Sequence, residues 1–191
     1  MGMLIVGLIL FLGAHSTRIV AEGWCSAMVR RLGAGSWKAA YSLVSLFGLV
    51  LIIWGFGLAR QQPVSLWLPP YFLRHVVWLL TLASFILLVA AYVPRNAVKA
   101  RLHHPMVLGV LLWALSHLLV NGNLAHVVLF GSFAVWSALS FRAARARDRA
   151  ALTLYPAGTP SGTVMTVAAG VLAWAGVVLW AHGLLIGIRP V

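Results

Sequence analysis

The chain has 191 residues, of which 62% are hydrophobic and only 8% are charged, and its mean hydropathy is +0.99. A soluble domain carries about a quarter charged residues, so this composition excludes one and predicts a membrane protein. The net charge of +12 does not indicate nucleic-acid binding, because the basic residues stand between apolar runs rather than on one soluble face.

Six apolar runs approach the roughly 20 residues that a helix needs to cross a bilayer. In chain order they cover residues 3–20, 38–59, 74–93, 105–120, 124–141 and 163–187. The fourth and fifth are short and are joined by "NGN", a tripeptide typical of a tight turn between two helices. We therefore predict an all-α, polytopic transmembrane helix bundle of about six spans, formed as a single domain by residues 1–191.

The first run lacks the basic beginning and the small-residue cleavage site of a signal peptide, so we expect it to be retained as a helix. One cysteine, Cys25, excludes an internal disulfide and a zinc cluster built on thiolates. We expect its thiol to be free and structurally idle.

The basic residues are distributed unevenly over the connections between the runs. The first, third and fifth connections and their flanks carry eleven of the fourteen, and the other side carries Arg60, Arg74 and Arg189. The positive-inside rule then predicts that these three connections face the cytoplasm, with both termini on the periplasmic side. Basic residues at the membrane surface also predict contact with anionic lipid.

Acidic residues are almost absent, since Glu22 and Asp148 are the only two and neither lies inside an apolar run. The spans therefore offer no carboxylate pair, no proton-relay acid and no Ser-His-Asp set. This disfavours hydrolases and most ion-coupled transporters, and no internal repeat of the transporter kind is visible.

Histidine is the surplus titratable residue, with seven copies. An ionisable side chain inside a bilayer is costly and is by default a functional candidate, unlike one at the interface. At 1.5 Å per residue, His15 and His117 lie about 18 Å along their runs, near the middle of a core about 30 Å thick. The other five fall near the ends of runs, where we expect interfacial or capping roles: His75, His103, His104, His126 and His182.

The neighbours of the two central histidines are consistent with a b-type haem pocket. Asn121 follows His117 by one helical turn, so its amide is expected to hold the second ring nitrogen, as ligating histidines usually require. Arg18 follows His15 by one turn and would meet a haem propionate. The spacing leaves two interpretations open: His15 and His117 ligate the iron of such a haem, or both make only hydrogen bonds to backbone or to other helices.

Three segments carry a family resemblance: "LGAHSTRI", "WKAAYSLVSLFGLVLIIWGFGLAR" and "HHPMVLGVLLWALSHLLVNGNLAHVVLFGSFAVWSAL". Together, and in this order, they resemble the NnrU family of bacterial membrane proteins over nearly the whole chain. The resemblance implies an inner-membrane protein of nitrite and nitric oxide reduction. The family is similar in turn to the 15-cis-zeta-carotene isomerase, a membrane enzyme whose b haem is ligated by histidines.

The motifs of that isomerase correspond to His15 with Ser16, to His104 with Pro105, and to His117 as the haem-ligand histidine. Its alternative cysteine ligand corresponds to Ala114, so a ligand exchange of that kind has no residue here. The resemblance implies haem b and a role in denitrification, or an isomerase-like or redox task on an apolar polyene or quinone-like ligand. The alternative is a non-enzymatic protein that supports the nitric oxide pathway and uses its histidines structurally.

Overall fold

The computed structural model describes residues 1–190, and over this range the chain is helical with no β-strand. Nine α-helices occur within it: α1 (Gly2–Val20), α2 (Glu22–Leu32), α3 (Ala34–Ala59), α4 (Leu73–Ala90), α5 (Ala97–Leu102), α6 (Pro105–Val120), α7 (Leu124–Ala150), α8 (Pro160–Gly176) and α9 (His182–Ile186). A π-helical turn, Val177–Ala181, joins α8 to α9. The all-α prediction is confirmed.

Five helical segments are long and apolar enough to cross a membrane: Gly2–Val20, Ala34–Ala59, Leu73–Ala90, Leu124–Ala150 and Pro160–Ile186. Helix α6 is apolar but has only 16 residues, which at 1.5 Å per residue gives about 24 Å. The prediction of a polytopic bundle is thus confirmed, with five full-length spans and one shorter apolar helix.

The long helices pack in a defined order. Helix α1 packs against α3 and α7, α7 against α6, α6 against α4, and α4 against α8. The segment after α8 returns to the end of α3, where the Arg60 guanidinium donates a hydrogen bond of 3.1 Å to the Ile186 carbonyl. Polar contacts connect neighbours inside the bundle, as in the 2.7 Å bond from the Ser84 hydroxyl to the Gly109 carbonyl.

The two ends of the bundle differ in charge. The basic end carries α2, α5 and the segment 151–159, and eleven of the fourteen Lys and Arg residues lie there. The opposite end carries the loop 60–72 and the turn 121–123, which are joined by a 2.7 Å bond from the Leu66 amide to the Gly122 carbonyl. The chain therefore separates its charge along the bundle axis.

Candidate functional site

His15 lies on α1 with its ring oriented by its own helix. Its Nδ1 donates to the Phe11 carbonyl at 2.7 Å, so the hydrogen sits on Nδ1 and Nε2 keeps its lone pair. The imidazole stacks on the Phe11 ring at 4.3 Å. Tyr41 and Trp136 complete an aromatic surrounding, with ring centroids 5.1 and 5.9 Å away.

His117 lies on α6 and repeats the same arrangement. Its Nδ1 donates to the Trp113 carbonyl at 2.9 Å, which again leaves Nε2 as the free nitrogen. Its ring stacks on Phe130 of α7 at 4.6 Å. Both central histidines therefore present Nε2, in an orientation that a backbone carbonyl fixes, as ligating imidazoles usually do.

Asn121 does not hold the ring of His117, and this prediction was wrong. Its amide Nδ2 donates instead to the His117 backbone carbonyl at 2.8 Å. Helix α6 ends at Val120, and the last carbonyls of a helix have no partner within it. The side chain therefore caps the end of its helix, and the Trp113 carbonyl takes the role that was assigned to Asn121.

His15 and His117 lie at different levels of the bundle. Helix α7 passes both, with Phe130 beside His117 and Trp136 beside His15, and six residues correspond to about 9 Å along a helix. An aromatic layer fills the level between them, its rings meeting at 5.6 to 5.9 Å: Phe11, Trp113 and Phe133. One iron does not reach both histidines while the aromatic layer stays in place.

Arg18 lies at the mouth of a small cavity beside His15. The cavity measures 270 Å³, and Lys38, Tyr41 and the buried Cys25 are among its lining residues. The Arg18 side chain is exposed, and its carbonyl accepts a 3.1 Å bond from Arg147. Arg18 and Lys38 thus line the same cavity as His15, where either could pair with a carboxylate.

Ala114, at the position of the isomerase cysteine, is fully buried one turn before His117. It belongs to the central apolar core with, among others, Leu8, Ile52 and Phe130. A methyl group there fills the core and offers no metal ligand.

His103 and His104, expected at the interface, belong to a polar cluster at the basic end. The Nε2 of His104 lies 2.7 Å from the Asp148 carboxylate, and the Tyr155 hydroxyl donates to the same carboxylate at 3.1 Å. The ring of His103 stacks on Tyr155 at 4.2 Å. Burial and the hydrogen bond to Asp148 raise the pKa of Tyr155 above its ordinary value.

His126 and His182 lie at the opposite end. The buried Nδ1 of His126 has no hydrogen-bond partner among the described residues, and the Nδ1 of His182 donates to the Ile188 carbonyl at 2.6 Å. Arg60 and His126 share a cavity of 540 Å³, larger than the one at His15. This site was not predicted, because Arg60 and His126 are 66 residues apart and each alone resembles an interfacial residue.

The residues around His15 offer one imidazole nitrogen rather than a closed set of metal ligands. Within residues 1–190, no three His, Cys, Asp or Glu side chains come together to hold a metal. A haem iron needs only one or two protein ligands. The indole nitrogen of Trp136, beside His15, is buried without a hydrogen-bond partner among residues 1–190.

The family comparison matches nearly the whole chain. The family model described as "NnrU protein" matches residues 3–190. Comparison with curated proteins and with solved structures gave no match.

Proposed function

Since this chain belongs to the NnrU family, we propose that it is a multi-pass inner-membrane protein that binds haem b through His15 and His117. Its task would lie in denitrification, in nitrite or nitric oxide reduction, or in an isomerase-like reaction on an apolar polyene. The observation that carries the proposal is that both central imidazoles present Nε2 while a helix carbonyl holds Nδ1. This is the usual orientation of a ligating histidine.

The residues around each histidine have separate roles in this proposal. The Phe11 and Trp113 carbonyls fix the ring orientation and make Nε2 more basic. Phe11 and Phe130 cover the ring faces and keep water away. Arg18, at the rim of the small cavity, would pair with a propionate. When bound, haem would supply a Lewis-acid or redox centre.

Sharing one iron requires the aromatic layer to move. Phe11 and Phe133 are partly buried at the edge of the core rather than in its fully buried centre. If both His15 and His117 hold the haem, the rings of Phe11 and Phe133 would have to give way between them. A bis-histidine iron is low-spin, and this state is what the experiment measures.

The second candidate function is a non-enzymatic protein that supports the nitric oxide pathway without a cofactor. The observation in its favour is that each central histidine already has a carbonyl partner on its own helix. A neutral imidazole with one such bond is satisfied well enough to serve as a packing residue.

The visible spectrum of protein produced with a haem supply separates the two candidates. We expect a reducible, low-spin Soret signature that disappears in His15→Ala and in His117→Ala. His182→Ala is the control and should keep the signal, because its Nδ1 already bonds the Ile188 carbonyl. Colourless wild-type protein would end the haem proposal, and loss of haem in only one of the two variants would end the shared iron.

A further inference from the structure

The larger cavity lies at the opposite end of the bundle, away from His15. Three parts of the chain form it: the end of α3, the start of α7 and residues 186–188. Its 540 Å³ falls within the range of small-molecule sites. The walls are mainly apolar, and four polar side chains converge in it: Arg60, Gln61, Asn123 and His126.

Arg60 is held in place but only partly satisfied. Its guanidinium lies 5.4 Å from the centroid of the Phe56 ring and donates one bond to the Ile186 carbonyl. The edge of the His126 ring meets the same Phe56 at 5.1 Å. The Nε of Arg60 and the Nδ1 of His126 are both buried with no hydrogen-bond partner among residues 1–190.

No carboxylate of the described chain neutralises Arg60. The two acids, Glu22 and Asp148, both lie at the basic end. There Glu22 pairs with Arg147 at 3.9 Å and Asp148 pairs with His104 at 2.7 Å. Arg60 is half-buried, and its buried Nε has no acceptor among the described residues, so a bound anion would supply both an acceptor and a counter-charge.

The third wall of the cavity is fixed in position. Gly187 ends α9 with φ of 77°, a left-handed conformation that glycine adopts without strain. The His182 ring then donates to the Ile188 carbonyl at 2.6 Å, which holds the segment after Gly187 beside the cavity. The left-handed Gly187 and this hydrogen bond fix the course of segment 186–188 along the cavity, so less order has to be gained there on binding.

We propose that this cavity binds an anionic oxygen-bearing group, a carboxylate or a phosphate. The Arg60 Nε donates to the anion and supplies the counter-charge, and His126 donates a second hydrogen bond from Nδ1. The head group of a membrane amphiphile and a free anion share this chemistry. The apolar walls, with Ala59, Ala125 and Ile188, leave room for the first carbons of an acyl chain. The proposal does not depend on haem.

The anion site is tested by calorimetry on the full chain in a neutral detergent. Oleate, kept below its micellar concentration, is titrated into the protein. We expect saturable binding of oleate and none of oleyl alcohol, which has the same chain without charge. Arg60→Gln should weaken oleate binding by at least about tenfold, because a charge-assisted hydrogen bond is lost. Arg60→Lys should recover part of it. Arg74→Gln is the matched control, since Arg74 lies at the same end but stacks on Tyr71 at 4.8 Å.

A second variant and a second probe complete the experiment. His126→Phe keeps an aromatic ring against Phe56 but removes Nδ1, and it should weaken oleate binding while the thermal unfolding midpoint stays near that of the wild type. The second probe is inorganic phosphate. If phosphate alone binds and its binding also depends on Arg60, the anion site is supported and its ligand is a free anion from the aqueous phase. Equal binding of oleate and oleyl alcohol, or binding unchanged in Arg60→Gln, would overturn the proposal.

Discussion

Asp148 organises the basic end of the bundle through three neighbours. Its carboxylate accepts from His104 at 2.7 Å and from Tyr155 at 3.1 Å, and it lies 3.7 Å from the Arg145 guanidinium. Arg145 also contacts the ring of His103. These residues come from the α5–α6 junction, the end of α7 and the segment after it, so one carboxylate joins three parts of the chain.

The Tyr155 phenol should titrate above its ordinary pKa, because burial and Asp148 both disfavour the phenolate. As pH rises, the unfolded chain loses the Tyr155 proton before the folded chain does. The raised pKa of Tyr155 therefore stabilises the fold fully at pH values below the pKa of the phenol in the unfolded chain. This stabilisation is lost as pH rises through the pKa of the phenol in the folded chain. Asp148→Asn should lower the phenol pKa, as followed by phenolate absorbance with Tyr155→Phe subtracted. An unchanged titration in Asp148→Asn would show that Asp148 is not the cause.

The sequence predicted the central histidines by depth, because depth depends only on position along an apolar run. It did not predict the partners of their rings. The carbonyl four residues earlier is available to any helical residue, and Asn121 instead satisfies the end of its own helix. The Asp148 cluster and the pairing of Arg60 with His126 depend on contacts between distant segments, which no local pattern encodes.

Helices α1 and α3 approach closely because small residues lie between them. A Cβ at Gly7 would stand 2.6 Å from the Ile52 backbone nitrogen, and one at Gly48 would stand 2.8 Å from that of Phe11. Membrane helices gain little from burying apolar surface against one another, so this close contact is a main source of their association. It also places Tyr41 of α3 beside His15 of α1.

Gly48→Ala and Gly57→Ala make a matched pair on α3. Both remove a flexible residue from one helix, but a Cβ at Gly57 meets nothing within 4 Å. We expect Gly48→Ala to be less stable than Gly57→Ala by about 1–3 kcal/mol, the usual cost of overpacking. Thermal unfolding in detergent measures the difference. Equal midpoints would mean that α1 and α3 can separate at no cost.

The apolar runs predicted the spanning helices closely, since length and hydropathy decide whether a segment crosses a membrane. The predicted run 105–120 coincides with α6, and 163–187 nearly coincides with Pro160–Ile186. Helix α2 was not predicted, because it is short and charged rather than an apolar run. The fifth run was predicted to end at 141, whereas α7 continues to Ala150. The π-helical turn has no sequence signature either, although such turns often occur at functional sites.

At the scale of the whole molecule, the separation of charge indicates how the bundle sits in the membrane. Eleven of fourteen basic residues gather at one end, where Arg147 also contacts Glu22 and the Arg18 carbonyl. The cavity at His15 opens toward this end, and the cavity at Arg60 belongs to the other. The positive-inside rule predicts that the basic end faces the cytoplasm, in which case the two cavities would lie toward opposite sides of the membrane.

Cysteine labelling of the intact chain tests this orientation. In a Cys25→Ala background, Gln62→Cys places a thiol in the loop 60–72 and Thr153→Cys places one after α7, and both positions are exposed. A membrane-impermeant maleimide should label Gln62→Cys in whole cells and Thr153→Cys only after the membrane is opened. The reverse pattern would invert the bundle. If both cysteines are labelled in whole cells, the loop 60–72 and the segment after α7 lie on the same side of the membrane. An even number of membrane crossings would then separate them, which contradicts their placement at opposite ends of the spans.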